Sequence, residues 1–151
     1  MKTLAFRLCT TGKRPYLVLL HNEQEPDAAE WHAYVRTVRD TLATNEGRVH
    51  AFIATDGGGP NAAQRKELAQ VVTQGGADML SHIFTKDPFI RGIVTAFRWI
   101  SGARAVAHLP SAFVSACEEC GHSPAEVLRE LESVQNEFAR VDVLQRMSEA
   151  A

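Results

Sequence analysis

Cys117 and Cys120, followed closely by His122, have the residue types that redox chemistry and zinc binding require. A redox-active cysteine pair lies at the start of a helix, where the helix field lowers the pKa of a thiol. Here the pair falls at the predicted end of a short helix, where that field favours the protonated thiol. A structural zinc ion needs a fourth ligand, and the sequence offers no second cluster of suitable spacing. We therefore interpret both cysteines as small core residues, and we predict neither a metal nor a cofactor.

A glycine-rich turn between Thr55 and Asn61 is the second pattern with chemical potential. Its glycines, Gly57, Gly58 and Gly59, allow backbone amides to approach a ligand, and the following helix offers free N–H groups that suit phosphate or carboxylate. The turn lacks the lysine and hydroxyl residue of a P-loop and the spacing of a dinucleotide-binding fingerprint. Glycine, proline and asparagine also supply the backbone angles of a plain turn, so both interpretations stay open.

The other polar residues form no recognised catalytic motif. Neither Gly-x-Ser-x-Gly nor His-Glu-x-x-His occurs in the sequence. Asp87 and Ser111 each have a sufficient role as the capping residue of a predicted helix, and His108 lies where a strand ends. The sequence therefore predicts a protein that is not an enzyme.

The elements that position these residues alternate between strands and helices. The alternation of apolar and polar residues from Leu4 to Cys9 predicts an edge strand, and the unbroken apolar run from Tyr16 to Leu20 predicts a central one. Further strands are predicted at residues 49–54, 80–85 and 104–108, and helices at 27–45, 61–74, 87–102 and 111–120. This order predicts an α/β fold with a mainly parallel sheet of about five strands, an antiparallel N-terminal edge strand, helices on the faces and one extra C-terminal helix.

The last segment carries the strongest helix start of the chain. Ser123 is the predicted N-cap, Pro124 takes the first helical position, and Glu126 completes a capping box. Apolar residues follow at steps of four and three: Val127, Leu131, Val134, Phe138 and Val141. We divide the chain into an α/β domain, residues 1–122, and a C-terminal helix, residues 123–151, which belongs to the same domain or to the interface of a homodimer.

Composition and charge exclude several classes of function. The 16 basic residues are dispersed among 18 acidic ones, for a net charge of -2, so nucleic acid is not an expected partner. The best apolar run, residues 90–100, is too short for a membrane span and contains Arg91 and Arg98. Three cysteines cannot all pair within one chain, and no leader peptide opens the sequence, so we expect the protein in the cytoplasm.

The order of elements, the glycine-containing turn after the third strand and the helical segment Phe89–Ile100 resemble the STAS domains related to the sporulation anti-sigma factor antagonist. Residues 3–120 carry the likeness, and Ala63–Leu68 together with Phe89–Ile100 are similar to the SpoIIAA-like, or STAS/SEC14-like, branch. The resemblance implies a partner-binding switch, in which phosphorylation of a serine or threonine at the start of the helix after the third strand breaks the complex. This sequence has Asp56 in that turn, and its nearest hydroxyl residue, Thr55, precedes the turn.

Two function hypotheses follow, because ligands of such sheets bind where the carboxyl ends of the parallel strands meet. The leading one is a regulatory module that binds a partner protein through the helix from Asn61 to Gln74 and the adjacent turn. The alternative is a sensor of a small ligand, a nucleotide or a lipid, at the carboxyl edge of the sheet, with Gly58→Val predicted to block the ligand. A third is an enzyme or metal protein built on Cys117, Cys120 and His122. The predicted partner-binding or ligand-binding residues are Thr55, Asp56, Gly57, Gly58, Gly59, Asn61, Arg65, Lys66, Lys86 and Arg91.

Overall fold

The computed structural model describes residues 2–75, 78–89, 91–92, 104–136 and 141–151. Five strands form one sheet in the order β1-β2-β3-β4-β5, with β1 antiparallel to β2 and every other pair parallel. The strands are β1 (Leu4–Cys9), β2 (Tyr16–His21), β3 (Arg48–Thr55), β4 (Asp78–Phe84) and β5 (Arg104–His108). The helices are α1 (Ala28–Thr44), α2 (Ala62–Gln74), α3 (Phe113–Glu119), α4 (Pro124–Gln135) and α5 (Asp142–Ala150). This confirms the predicted α/β class and the antiparallel edge strand.

One face of the sheet packs against α1 and α2. Helix α1 begins at Asp27, whose carboxylate accepts hydrogen bonds from the backbone N–H groups of Ala29 and Glu30. Apolar residues of α1 then recur every three or four positions and form one buried stripe. The buried residues of this layer are Leu4, Leu17, Leu19, Trp31, Tyr34, Val35, Val38, Leu42, Val49, Ala51, Ile53 and Met79.

The opposite face packs against α3, α4 and α5. Side chains alternate along a strand, so every second residue of β2 and β3, including Val18, Leu20 and Phe52, reaches this layer. The helical residues that cover them are Phe113, Ala116, Cys117, Val127, Leu131, Val134, Val143, Leu144 and Met147. All six residues of β2 are buried, because both faces of that strand are covered.

The prediction of a single C-terminal helix is wrong, because the segment contains two helices. Helix α4 ends at Gln135, and Val141 precedes α5 with an extended backbone (φ -112°, ψ 113°) rather than continuing the first helix. Val127, Leu131 and Val134 are buried against the sheet of their own chain. Phe138 lies outside the described residues.

The structure describes only the start of the predicted helix at 87–102, where residues 88, 89, 91 and 92 are helical. The rest of that predicted element, including Arg98, lies outside the described ranges. Across the part of the chain that is described, no helix has both the length and the apolar character needed to cross a bilayer.

Candidate functional site

The turn after β3 closes on itself through Thr55. The Thr55 side chain is 2% exposed, and its hydroxyl donates a hydrogen bond to the Gly58 carbonyl oxygen while accepting one from the Gly57 N–H at 3.1 Å. Gly57 has a φ of 130°, a conformation that side-chain-bearing residues rarely adopt. The hydroxyl nearest to the turn is therefore committed to the turn itself and is not presented to solvent.

Gly58 approaches the chain's own backbone. A Cβ atom at this position would lie 2.3 Å from the carbonyl oxygens of both Asn22 and Gln24, and the Gly58 N–H donates to the Asn22 carbonyl at 2.8 Å. The interpretation of Gly58→Val as a specific block to ligand approach is thus corrected, because valine would collide with the loop after β2. Gly58 is required for packing of two loops at the carboxyl edge.

Asp56 is bound within its own chain. Its carboxylate accepts hydrogen bonds from the backbone N–H groups of Asp142 at 2.7 Å and Val143 at 2.9 Å, the first residues of α5. Val141, at the N-cap position, makes no capping bond with its own side chain. Asp56 therefore caps α5 from a distant part of the sequence, and its negative charge faces the N-terminal end of that helix.

The start of α2 is held by a capping box. The Asn61 side chain accepts from the Gln64 N–H and the Gln64 side chain accepts from the Asn61 N–H, both at 2.9 Å. Arg65 Nη1 donates to the Pro60 carbonyl oxygen at 2.9 Å, whereas Lys66 is exposed. Of these predicted site residues, Asn61 and Arg65 support the local structure, and Lys66 faces solvent.

The predicted site residues separate into two neighbouring surfaces. Lys86 is exposed and lines a cleft together with Thr55, Asp56 and Asp142. Arg91 Nη1 donates to the Thr85 carbonyl oxygen at 3.3 Å on the same side. The three glycines and Arg65 line a different space, a cavity under the turn.

This cavity, of about 210 Å³, lies between the first face of the sheet and helices α1 and α2. Its walls are mostly apolar, and the glycine turn and Pro60 form part of its rim. The described residues that line it are Leu19, His21, Trp31, Tyr34, Ile53, Thr55, Gly57, Gly58, Gly59, Pro60, Arg65, Leu68, Ser81, Ile83, Arg104 and Ala105. Pockets of this character, apolar with a few polar groups, are the usual sites of small-ligand binding.

Among the lining residues, Nδ1 of His21 and the hydroxyl oxygen of Tyr34 are buried and make no hydrogen bond to any described residue. Burial lowers the pKa of His21 to about 4, so the imidazole is neutral near pH 7, and burial raises the pKa of Tyr34. The neighbouring Trp31 is satisfied, since its indole N–H donates to the Gln64 carbonyl at 3.0 Å. Buried polar groups are nearly always paired, so the two unpaired atoms call for an explanation.

Sequence reasoning identified only part of this cavity. The sequence predicts the glycine turn and Arg65 as site residues, whereas Trp31 and Tyr34 have only the helical spacing of the buried α1 stripe. The spacing of a helical stripe is the same for a residue that packs against another side chain and for one that lines a cavity. The only available signal was that the two largest members of the stripe both carry a polar atom.

Comparison with known proteins shows that this architecture is similar to a solved structure. No family model matches the chain, and no curated protein matches its sequence. The structure is similar to the crystal structure of an uncharacterized protein of the DUF3478 family from Shewanella loihica PV-4, which is described as having a SpoIIAA-like fold. The TM-score is 0.53 at 11% sequence identity, over 72% of this chain and 87% of that chain.

The chain has a SpoIIAA-like fold. This confirms the resemblance that the element order predicts, and at 11% identity it concerns the fold alone. In this SpoIIAA-like domain the turn after β3 lacks an exposed hydroxyl, since Thr55 is buried and Asp56 caps α5. The turn therefore differs from the phosphorylated turn that the resemblance implied.

The other face of the SpoIIAA-like sheet brings together histidines that are far apart in the sequence. Among the described residues, His50, His82 and Cys120 offer ligand atoms within 4.8 Å of one another. Cys117 and His122, which the sequence suggested as partners of Cys120, are not part of this group. Cys117 is fully buried in the core, where burial raises its pKa to about 12, and the His122 ring contacts that of Tyr16 at 4.9 Å.

Proposed function

We propose that this protein is a non-enzymatic binding domain that holds a small amphiphile in the cavity under the glycine turn. The observation that carries the proposal is the pair of unpaired, buried polar atoms, His21 Nδ1 and Tyr34 Oη, on residues that line an otherwise apolar cavity. Leaving a buried polar group unpaired costs about 1–3 kcal/mol. A ligand with an oxygen-bearing head and an apolar body would remove that cost.

The size of the cavity limits the ligand. Its volume of about 210 Å³ is below the ~300–1,000 Å³ of pockets that hold drug-sized molecules. This favours a medium-chain acid or alcohol over a nucleotide, which is larger and mostly polar. Leu19, Ile53 and Ile83 would contact the apolar body, and the guanidinium of Arg65 suits an acidic head, whereas that of Arg104 is paired with Asp78 at 3.3 Å.

This proposal is a specific form of the alternative hypothesis from the sequence, in which a small ligand binds at the carboxyl edge of the sheet. The glycine turn contributes by shape, because Gly58 lets the loop after β2 and the turn pack closely and form the rim. Three free cysteines, Cys9, Cys117 and Cys120, support a working environment that is reducing, and we propose that it is the cytoplasm.

Filling the cavity is expected to abolish binding. Ala105 lines the cavity and is 8% exposed, so the larger side chain of Ala105→Leu would occupy space that the ligand needs. Calorimetric titration with hexanoic to decanoic acid and the matching alcohols measures the affinity. Ala28→Leu, at an exposed alanine at the start of α1 and outside the described lining, is the matched control and should bind as the natural protein does. Equal affinity for all three proteins would contradict the proposal.

Removing the Tyr34 hydroxyl is expected to raise the stability of the ligand-free protein and to weaken ligand binding. Tyr34→Phe eliminates an unpaired buried hydroxyl and should raise the free energy of unfolding of the ligand-free protein by about 1 kcal/mol. The same change should weaken ligand binding roughly threefold to tenfold, because one hydrogen bond to the ligand is lost. Urea unfolding and calorimetry measure the two effects.

The Tyr16→Phe variant is the control for this prediction, because the Tyr16 hydroxyl is also buried but lies in the layer on the other face of the sheet, where it interacts with the Cys9 side chain. It should leave ligand affinity unchanged. If Tyr16→Phe and Tyr34→Phe change the affinity equally, the ligand does not contact Tyr34.

The second candidate is the regulatory module that binds a partner protein through α2. It is favoured by the exposure of that helix, of which only Gln64 is fully buried. Lys66 and Gln70 face solvent, while Arg65 and Leu68 of the same helix line the cavity. A ligand in the cavity would therefore contact the element that the partner contacts from outside.

Charge reversal tests this surface. Lys66→Glu is expected to weaken capture of a partner from a lysate of the source cells, since it inverts an exposed charge without breaking a contact in the fold. Arg65 is a poor choice for the same test, because its guanidinium bonds to the Pro60 carbonyl and holds the turn. Lys13→Glu, an exposed lysine in the loop between β1 and β2, is the control. Identical capture by the two variants would contradict the role of α2.

A further inference from the structure

The second face of the sheet carries a row of imidazoles across three strands. His50 of β3 and His82 of β4 approach with Nδ1 of the first 3.2 Å from Nε2 of the second. Nδ1 of His82 lies 3.2 Å from Nε2 of His108 on β5. Cys120, which follows α3, places its sulfur 3.1 Å from His82 Nε2. Two different groups therefore meet at one nitrogen atom of His82.

Hydrogen bonding alone does not satisfy this arrangement. A neutral imidazole has one N–H donor and one acceptor nitrogen with a single lone pair. If His82 Nε2 accepts, His50 and Cys120 compete for that lone pair; if it donates, one hydrogen must serve both. His50 and His82 are only 7% and 5% exposed, so little of either ring is in contact with water. In both cases, either His50 or Cys120 lacks a full hydrogen bond to His82 Nε2.

We propose that His50 Nδ1, His82 Nε2 and Cys120 Sγ bind a zinc ion. Tetrahedral zinc, with Zn–N of about 2.0–2.1 Å and Zn–S of about 2.3 Å, keeps its ligand atoms roughly 3.3–3.6 Å apart. The separations from His82 Nε2, 3.2 Å to His50 Nδ1 and 3.1 Å to Cys120 Sγ, are close to that range, and the ligand atoms of the three residues all lie within 4.8 Å of one another. Two imidazoles and a thiolate are a donor set that zinc favours.

His108 acts as the positioning residue of this site. Ligating histidines usually bond through their second ring nitrogen to an outer partner, which fixes the orientation of the ring. His108 Nε2 is that partner for His82, and the His108 ring stacks on Phe84 at 5.1 Å. The ring of His82 is therefore held by contacts at both of its nitrogen atoms.

The fourth coordination position faces solvent. His50 and Cys120 line an open cleft together with Glu119 and Asp78. Arg14 and Arg48 line the same cleft and bring positive charge that the two carboxylates offset, with Arg48 Nε paired to Asp78 Oδ2 at 3.0 Å. A water molecule from the cleft would complete the tetrahedron, and the cleft gives the ion a path to the site.

The ligands are in suitable or reachable protonation states. Burial lowers the pKa of both His50 and His82 to about 4, so both imidazoles are neutral near pH 7 and their nitrogens can bind metal. Burial raises the pKa of Cys120, so zinc must displace the thiol proton, and binding is expected to release protons and to weaken as the pH falls.

Cobalt titration of the untagged, chelator-treated chain tests the proposal. We expect one Co²⁺ per chain, with an absorption band from thiolate-to-cobalt charge transfer that disappears when Zn²⁺ is added. Cys120→Ser should abolish the band and weaken Zn²⁺ binding by more than about a hundredfold. Cys117→Ser, at a fully buried cysteine three positions earlier in the sequence, is the control and should keep both. Circular dichroism confirms that each variant is folded.

The His108→Gln variant tests whether His108 orients His82 and does not itself bind the metal ion. It should keep the charge-transfer band, since all three ligands remain, while Zn²⁺ affinity falls about 10–100-fold. A folded natural chain that shows no charge-transfer band would overturn the proposal. So would a band that survives in Cys120→Ser or is lost in Cys117→Ser.

Discussion

Mild acid is expected to unfold the metal-free protein. His21, His50 and His82 are all less than 9% exposed, and burial lowers the pKa of each to about 4, against about 6.5 in an unfolded chain. Between these values the unfolded chain binds protons that the folded one does not, so stability falls as the pH drops from about 6.5 towards 4 and is constant above. At about pH 5 each histidine costs roughly 2 kcal/mol, or about 6 kcal/mol together. That sum is comparable to the whole stability of many domains.

Urea unfolding at a series of pH values, with a chelator present, measures this effect. Between about pH 5 and 6 the slope of the unfolding free energy should correspond to at least about two to three protons taken up on unfolding, since burial also lowers the pKa of His108 and His122. His21→Gln should remove about one of them. His32→Gln is the matched control, because His32 is exposed on α1. A slope close to zero in the natural protein would show that these histidines are not buried as described.

Gly58→Ala is expected to be the most damaging single-methyl change. The new Cβ atom would lie 2.3 Å from the Asn22 and Gln24 carbonyl oxygens, and backbone atoms cannot rotate away as a side chain can. The two loops must separate, which should cost about 3 kcal/mol, the upper end of the usual range for overpacking. Ligand binding in the adjacent cavity should be lost as well, since Gly58 is part of its lining.

The neighbouring Gly59→Ala is the control for this prediction. A Cβ atom at Gly59 would meet no atom of the described residues within 4 Å, and its φ is not positive. Its melting temperature should stay close to that of the natural protein. Similar melting temperatures for the Gly58 and Gly59 variants would mean that the loops do not pack as the structure describes.

The fold was largely predictable from local signals. Alternation in β1, the unbroken apolar run of β2 and the stripe of α1 each reflect a single element facing one layer. The connection between α4 and α5 was not predictable in the same way. Val141 continues the spacing of the α4 stripe, although it is buried at the start of a separate helix. Spacing alone cannot tell a continued helix from a second helix that packs on the same core.

The candidate sites depend on contacts between distant residues, which explains why the sequence predicted them only in part. Asp56 and α5 are joined by hydrogen bonds across 86 and 87 positions. His82 contacts His50 and Cys120 across 32 and 38 positions, through the register of β3 on β4 and the return of the chain after α3. No local sequence pattern specifies the register of β3 on β4, so the sequence does not predict that these histidines lie together.

The two proposed sites lie on opposite faces of one sheet and can be tested separately. Ala105 lines the cavity on the first face, and Cys120 lies on the second. Ala105→Leu should therefore lose the amphiphile and keep Co²⁺ binding, while Cys120→Ser should do the reverse. Failure of one site would leave the other intact.

Native mass spectrometry of gently purified protein tests the amphiphile proposal most directly. We expect a mass above that of the chain, from a small organic ligand that is lost on denaturation and is absent from Ala105→Leu. A bound zinc ion would add a separate increment that Cys120→Ser removes. A natural protein with only the mass of the chain, with or without zinc, that also takes up no added hexanoic to decanoic acid or alcohol would contradict the proposed function.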